Sequence, residues 1–329
     1  MSDPGPPPVA YHATAERPAW RTLPAALRSA VSARLGADVV EVRGAGAGFT
    51  RGFAAVLRTA DGGSAFVKAA AHAEQPHLVD WYAREAAILA RLPAGLPAPR
   101  LRWTLWEADW YALCLDPVDG HTPRLPWRPA ELDATLTGYA DIAAALAVPP
   151  TELADLGLPR LADLARDDIL WWGEVAAGRE PTPPLPASAA RRLAELVALE
   201  SRLPEYAAER TGLTHGDLRV DNVLIGPTGQ AWFCDWTWLC HGPAWFDLAN
   251  LLITGYASGL DVDTRFATHP AATDAPPDAL DVTLAALAGY HLTAATTPPP
   301  PTASPHLPAH HRWTGEQALT WLTHRQSWT

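Results

Sequence analysis

The chain has 329 residues, 48% hydrophobic and 19% charged, with 33 prolines and 15 tryptophans; this composition supports a large packed core and excludes a fibre or a disordered tail. A net charge of −11 argues against general affinity for nucleic acid or an anionic membrane, while leaving room for a cationic small-molecule partner. The start, MSDPGPPPVA, has no basic end followed by an apolar stretch, and no run of about 18 apolar residues occurs, so a cytoplasmic location is expected.

Residues 1–19 are proline-rich and are expected to be poorly ordered. The spacing of 23–36 predicts a helix stopped by Gly36. Three β-like runs follow, 38–44, 53–59 and 64–70, and Asp61-Gly62 between the last two is a hairpin signal, giving an antiparallel meander. Residues 79–92 are amphipathic and helical, and 100–117 provide two further strands.

From about 128 the character changes to long helical segments at 130–147, 160–178, 188–208, 246–257 and 281–296. Between them, 214–225 and 231–239 read as two short β-ribbon elements. Residues 296–308 form a polyproline-like connector, and Thr314 with Gln317 three residues on resembles a capping box opening a last helix. The expected fold class is α+β and two-lobed: a proline-rich extension at 1–22, a small antiparallel β-rich lobe at 23–118 and a larger helical lobe at 119–329. Cys114, Cys234 and Cys240 have neither CxxC spacing nor a histidine partner, and read as reduced thiols.

Composition holds a sharper clue. Lys68 is the only lysine, and Asn222 and Asn250 are the only asparagines, as if a GC-rich genome had replaced AT-rich codons wherever function allowed. Lys68 lies on a strand after the glycine-rich turn GAGAGFTRG, where a compact ammonium can meet phosphate oxygens. Glu85, on the following helix, is a possible ion-pair partner. Asp217 and Asn222 stand five residues apart in THGDLRVDNVLI, and Asp235 follows in WFCDW. Phosphoryl transfer to a hydroxyl needs an acceptor for the hydroxyl proton and oxygen ligands for Mg²⁺. Two carboxylates and an amide supply both, and asparagine coordinates without adding charge beside a triphosphate.

The order lysine, glutamate, HGDxxxxN, aspartate resembles the aminoglycoside phosphotransferase and choline kinase-like family, which has the protein kinase-like fold; the likeness spans roughly 36–257. The resemblance implies Asp217 as catalytic base, His215 as support of the catalytic loop, and Asn222 and Asp235 as Mg²⁺ ligands. It further implies Lys68 and Glu85 at the nucleotide phosphates, Gly46 and Gly48 in the loop above them, and Asp247 as a brace. Asp116 and Val118 would form the hinge that meets the base of ATP or GTP.

The chain departs from the family in having Arg219-Val220-Asp221 before the asparagine, and in crowding Trp232, Trp236, Trp238 and Trp245 around the metal strand. Asp167, Asp168 and Glu174 are candidates for substrate amines, and Trp171 or Trp172 for a sugar face; the same stretch also reads as a solvated helix face with core tryptophans, which ordinary burial favours. The expected activity is transfer of a γ-phosphoryl group to a hydroxyl of an aminoglycoside-like antibiotic, sugar, amino alcohol or natural-product intermediate. The competing reading is a catalytically silent kinase-fold binding protein. The sequence does not define an oligomeric state.

Overall fold

An antiparallel hairpin over 53–71 forms the centre of the first lobe. The computed structural model describes residues 9–208 and 212–328, and in it β1 (Val39–Gly44), β2 (Phe53–Thr59) and β3 (Ser64–Ala71) pair antiparallel in sequence order. Phe53, Ala55, Leu57, Ala65 and Val67 point to one face and bury against Leu27 and Val31 of α1 (Ala25–Leu35). The opposite face carries Val56, Phe66 and Lys68 toward the interlobe cavity, as a period of two requires. Gly36 ends α1 in the left-handed conformation, φ 86°, as expected.

After α2 (Pro76–Leu89) the chain returns as β4 (Leu101–Glu107) and β5 (Trp110–Leu115). The sheet order is β1-β2-β3-β5-β4, antiparallel throughout. The meander therefore does not continue past β3: β5 takes the place beside the lysine strand and β4 forms the edge.

The second lobe begins with α3 (Pro129–Leu146), then α4 (Thr151–Ala154), α5 (Leu161–Leu164), α6 (Trp172–Ala176), α7 (Ala187–Ala190), α8 (Leu193–Glu200) and α9 (Leu203–Ala208). The expected helix at 160–178 is thus broken. A π turn at Ala165–Ile169 and extended backbone at Leu170 separate its halves, and apolar spacing does not register a wide turn. The expected helix at 188–208 is three short ones, with Pro204 starting the last turn. Strands β6 (Leu213–Thr214) with β9 (Cys240–His241), and β7 (Val223–Ile225) with β8 (Ala231–Phe233), form the expected ribbons. The remaining helices are α10 (Ala244–Tyr256), α11 (Val262–Thr268), absent from the sequence reading, α12 (Ala279–Ala294) and α13 (Leu307–Arg325).

Two further expectations fail. Thr314 does not cap a helix: α13 opens at Leu307 with Pro308 in its first turn, leaving Thr314 buried in the helix interior. Residues 1–8 lie outside the described residues, but 9–19 are packed rather than loose. Val9, Tyr11 and Thr14 are buried, and Tyr11 is hydrogen-bonded to Nδ1 of His310, 299 residues away, at 2.8 Å.

Candidate active site

Lys68 sits in the middle of β3, and α2 lies across that face of the sheet. Glu85 projects from α2 with its side chain wholly buried, and the Lys68 ammonium donates to both its carboxylate oxygens at 2.7 and 2.8 Å. Asp235 Oδ1 is 3.6 Å from the same nitrogen. Burial works against the ammonium, but Asp235 and Glu85 outweigh it and hold Lys68 above its ordinary pKa. Burial in turn pushes Glu85 up to about 7, against the pull of Lys68. Asp235 departs oppositely: burial alone raises it, but Lys68 and Arg219 keep it below the usual carboxylate range. Its backbone is left-handed, φ 63°, a conformation uncommon outside glycine and tolerated by aspartate.

The catalytic-loop candidate is clamped from beneath. Asp247, on the first turn of α10 and fully buried, accepts from the backbone amides of His215 at 2.6 Å and Gly216 at 3.0 Å. The hydroxyls of Thr214 and Tyr139 also donate to it. Gly216 is required here: its φ is 81° and a Cβ would lie 2.2 Å from the Trp238 carbonyl. His215 is buried, with Nε2 3.0 Å from the Cys234 carbonyl oxygen, so its ring supports the loop from behind.

Asp217 faces the cavity. Burial pushes its carboxyl up to about 7, opposed chiefly by Arg219 and reinforced by Asp221 and Asp235. Arg219 donates to Asp217 Oδ1 at 2.7 Å and to Asp221 at 3.1 and 3.2 Å, so the charged pair by which the sequence departs from the family belongs to an internal ion-pair network. Asn222 turns its amide nitrogen onto the Asp217 carbonyl oxygen at 2.7 Å. Its side-chain oxygen is thereby the atom left for a ligand, and Asp235 lines the same cavity. These are hard oxygen donors without sulfur or imidazole, a set that fits Mg²⁺.

Lys68, Glu85, Gly216, Asp217, Arg219, Asp221, Asn222 and Asp235 line one cavity of about 1030 Å³ between the lobes. Asp116 and Val118 line it as well, although the Asp116 amide already donates to the Arg100 carbonyl and its carboxylate pairs with Arg102. Gly46 and Gly48 form part of the same wall, but their backbones are engaged from outside. The Gly48 amide donates to Thr14 Oγ1 at 3.1 Å, and a Cβ on Gly46 would lie 2.3 Å from the His12 carbonyl oxygen. The glycines make room for the 9–19 segment, whose Arg17 donates to the carbonyls of Ala45, Ala47 and Gly52 at 2.8–3.1 Å.

Of the acceptor candidates, Asp168 and Trp171 line the cavity and the others do not. Trp172 is fully buried and donates to the Ala285 carbonyl. Glu174 pairs with Arg179 at the surface, and Asp167 is exposed away from the cleft. The break at Leu170 explains the division, because it sends neighbouring residues to different faces. Trp236 and Trp245 are core, whereas Trp238 faces the cavity beside Trp81. Sequence reasoning missed Arg17, Tyr290, His291 and His311, which also line the cavity, and Asn250. Asn250 was within reach: the scarcity that singled out Asn222 applies equally to it.

A lysine–glutamate pair under a glycine-rich hairpin, set across a cleft from a braced HGDxxxxN loop and an aspartate, defines a two-lobed, kinase-like phosphotransferase acting on hydroxyl groups of small molecules. A model of the phosphotransferase enzyme family matches residues 42–274, and the chain belongs to that family. Among solved structures, it is similar to the GDP and kanamycin complex of APH(2")-IIia, with a TM-score of 0.61 and 14% identity over 91% of this chain and 97% of that one. It is also similar to macrolide 2'-phosphotransferase type I, with a TM-score of 0.56 and 19% identity over 89% and 95%. A third is APH(3'')-Id from Streptomyces rimosus in complex with ADP and streptomycin, with a TM-score of 0.52 and 23% identity over 79% and 96%. No curated protein sequence matches the chain. Among the described residues, no helix is long and apolar enough to cross a membrane.

Proposed function

We propose that the chain moves the γ-phosphoryl group of ATP or GTP to an alcohol of a small molecule with Mg²⁺ bound, and that Asp217 accepts the hydroxyl proton. The observation that carries this reading is the convergence of Lys68, Asp217, Asn222 and Asp235 on one cavity. Lys68 holds nucleotide phosphate oxygens and Glu85 fixes its direction. Asn222 and Asp235 hold the metal, which neutralises charge on the phosphates when bound. Asp247 and His215 keep the loop in place, and Asp217 orients and deprotonates the incoming hydroxyl.

The acceptor end favours a particular kind of alcohol. Leu161, Leu164, Ile169, Trp171, Leu287 and Tyr290 line it, and Asp168 alone of the three acidic candidates from that stretch is present. An acceptor with an extensive apolar face and few ammonium groups fits this wall better than a polycation, because several desolvated ammonium groups would lack carboxylate partners. The test is nucleotide consumption with ATP and with GTP across macrolides, amino alcohols, simple sugars and aminoglycosides. Turnover with an apolar-faced alcohol exceeding that with any polycationic aminoglycoside is expected. Nucleotide binding without turnover on any acceptor would favour the silent-binder reading.

A further inference from the structure

On the cavity that holds Lys68 and Asp217, three imidazoles meet that the proposed phosphoryl transfer does not use. His291 comes from the last turns of α12, and His310 and His311 from the first turns of α13. One nitrogen from each lies within 4.8 Å of the others, and the ring centroids are 5.1–5.4 Å apart pairwise. Gly315 makes this possible: a Cβ there would lie 3.1 Å from the His291 Cβ and 2.7 Å from Leu292, so its absence lets the two helices close.

We propose that His291, His310 and His311 form a three-imidazole site for a late first-row divalent cation of the Zn²⁺ class, its fourth position open to the cleft. The geometry carries this in three respects. His291 and His311 already place their Nδ1 atoms 2.9 Å apart, near the roughly 3.3 Å edge of a tetrahedron with metal–nitrogen bonds of about 2.05 Å. His310 is buried, its Nδ1 is held by Tyr11 and Thr314, and its Nε2 is buried with no partner. A ligating histidine has this arrangement, one nitrogen fixed by a hydrogen bond from outside and the other free for the metal. His291 and His311 also line the cavity, which provides entry and space for a water or a substrate heteroatom.

The surroundings tolerate the charge. Burial keeps all three rings neutral, holding His311 down at about 4 and the other two well below their ordinary value, so ligation displaces no strongly held proton. The nearby cation, Arg219, is matched by the two carboxylates of Asp217 and Asp221. Its charge still helps hold the three rings neutral, and Phe49 lies between it and His310, stacking on that ring at 4.8 Å and sitting beneath the guanidinium at 5.6 Å. Asn222 and Asp235 offer oxygen only, so imidazole and oxygen sites select different metals.

The test uses the full-length, untagged protein stripped of metal, then titrated with Zn²⁺ and separately with Co²⁺ under millimolar Mg²⁺, which occupies oxygen sites. One equivalent of Zn²⁺ retained through dialysis, the visible absorption of tetrahedral Co²⁺ and a Tm rise of roughly 5 °C at a hundredfold excess over Kd are expected. His311→Ala, at a half-buried position, should weaken Zn²⁺ binding at least about tenfold, and His310→Ala should do the same. Asp235→Ala should leave binding unchanged. Failure of the parent protein to retain Zn²⁺ under Mg²⁺, or equal retention by His311→Ala, overturns the proposal. No turnover is read, so this outcome is independent of the phosphotransferase assignment.

Discussion

At the scale of single residues, the decisive quantities are the burial of Glu85 and the company kept by Asp217. The Lys68 and Glu85 side chains are 12% and 0% exposed, so their pair is an interior one and its loss is costly. Lys68→Met leaves a buried carboxylate unpaired and should destabilise by about 3 kcal/mol. Adding Glu85→Leu should restore much of that loss without restoring activity, a double-mutant cycle in thermal melts being the measurement. Lys68→Arg should lower both turnover and Tm, since a longer planar guanidinium cannot occupy the point between Glu85 and Asp235. Asp217 invites a pH test. Its carboxyl, raised to about 7 chiefly by burial, can serve as the proposed base only when deprotonated, so kcat/KM should fall as pH drops through about 7. Arg219 lowers that pKa; Arg219→Met should therefore move the acid limb to higher pH, and an unmoved limb would assign it to another group. Asp217→Asn should reduce kcat about 10²-fold with little change in Tm.

At the scale of elements, what was legible in the sequence is what is local in it. The strands at 39–71 follow from short β-like runs and the Asp61-Gly62 turn, and the loop from Thr214 to Asn222 packs its polar groups within nine positions, so both the fold class and the grouping of the candidate site could be read before any coordinates. Helix continuity could not: the π turn at Ala165–Ile169 leaves no mark in apolar spacing, and it decides that Trp171 meets the cleft while Trp172 enters the core. The capping-box reading at Thr314 failed because Pro308 starts α13 a turn and more earlier. The brace at Asp247 was legible only by resemblance, since its partners lie 31 to 33 residues away or, for Tyr139, 108. Asp247→Ala would take the acceptor from two backbone amides and the buried Thr214 hydroxyl, Tyr139 keeping the Ala244 carbonyl at 2.8 Å, and should destabilise by about 3 kcal/mol. Hydrogen exchange at His215 and Gly216 would show whether the loss is local to the loop.

At the scale of the whole molecule, the glycine-rich hairpin is held from two distant parts of the chain. The 9–19 segment reaches it through Arg17 and Thr14. The proline-rich connector reaches it through a bridge between Thr50 and Ala303 and a bond from the Ser304 amide to the Phe49 carbonyl. Ser304, fully buried, joins the two by donating to the Thr14 carbonyl at 2.6 Å. Contacts spanning almost three hundred residues leave no periodic trace, which is why the segment reads as a tail in the sequence. Physically it is a clamp: it engages the Gly48 amide and five hairpin carbonyls, those of Ala45, Gly46, Ala47, Gly48 and Gly52, limiting how far the loop can move over the nucleotide. Deletion of residues 1–19 removes buried Val9 and Tyr11 together with this clamp. It should therefore lower Tm by several degrees and weaken nucleotide binding, even though Lys68, Glu85 and Asp235 are untouched. Arg17→Ala isolates the second effect, because it releases three of these carbonyls while keeping the buried apolar contacts. Nucleotide affinity measured by calorimetry should fall for Arg17→Ala with only a small Tm change. Parental affinity in both variants would mean that the hairpin is ordered by its own strands alone.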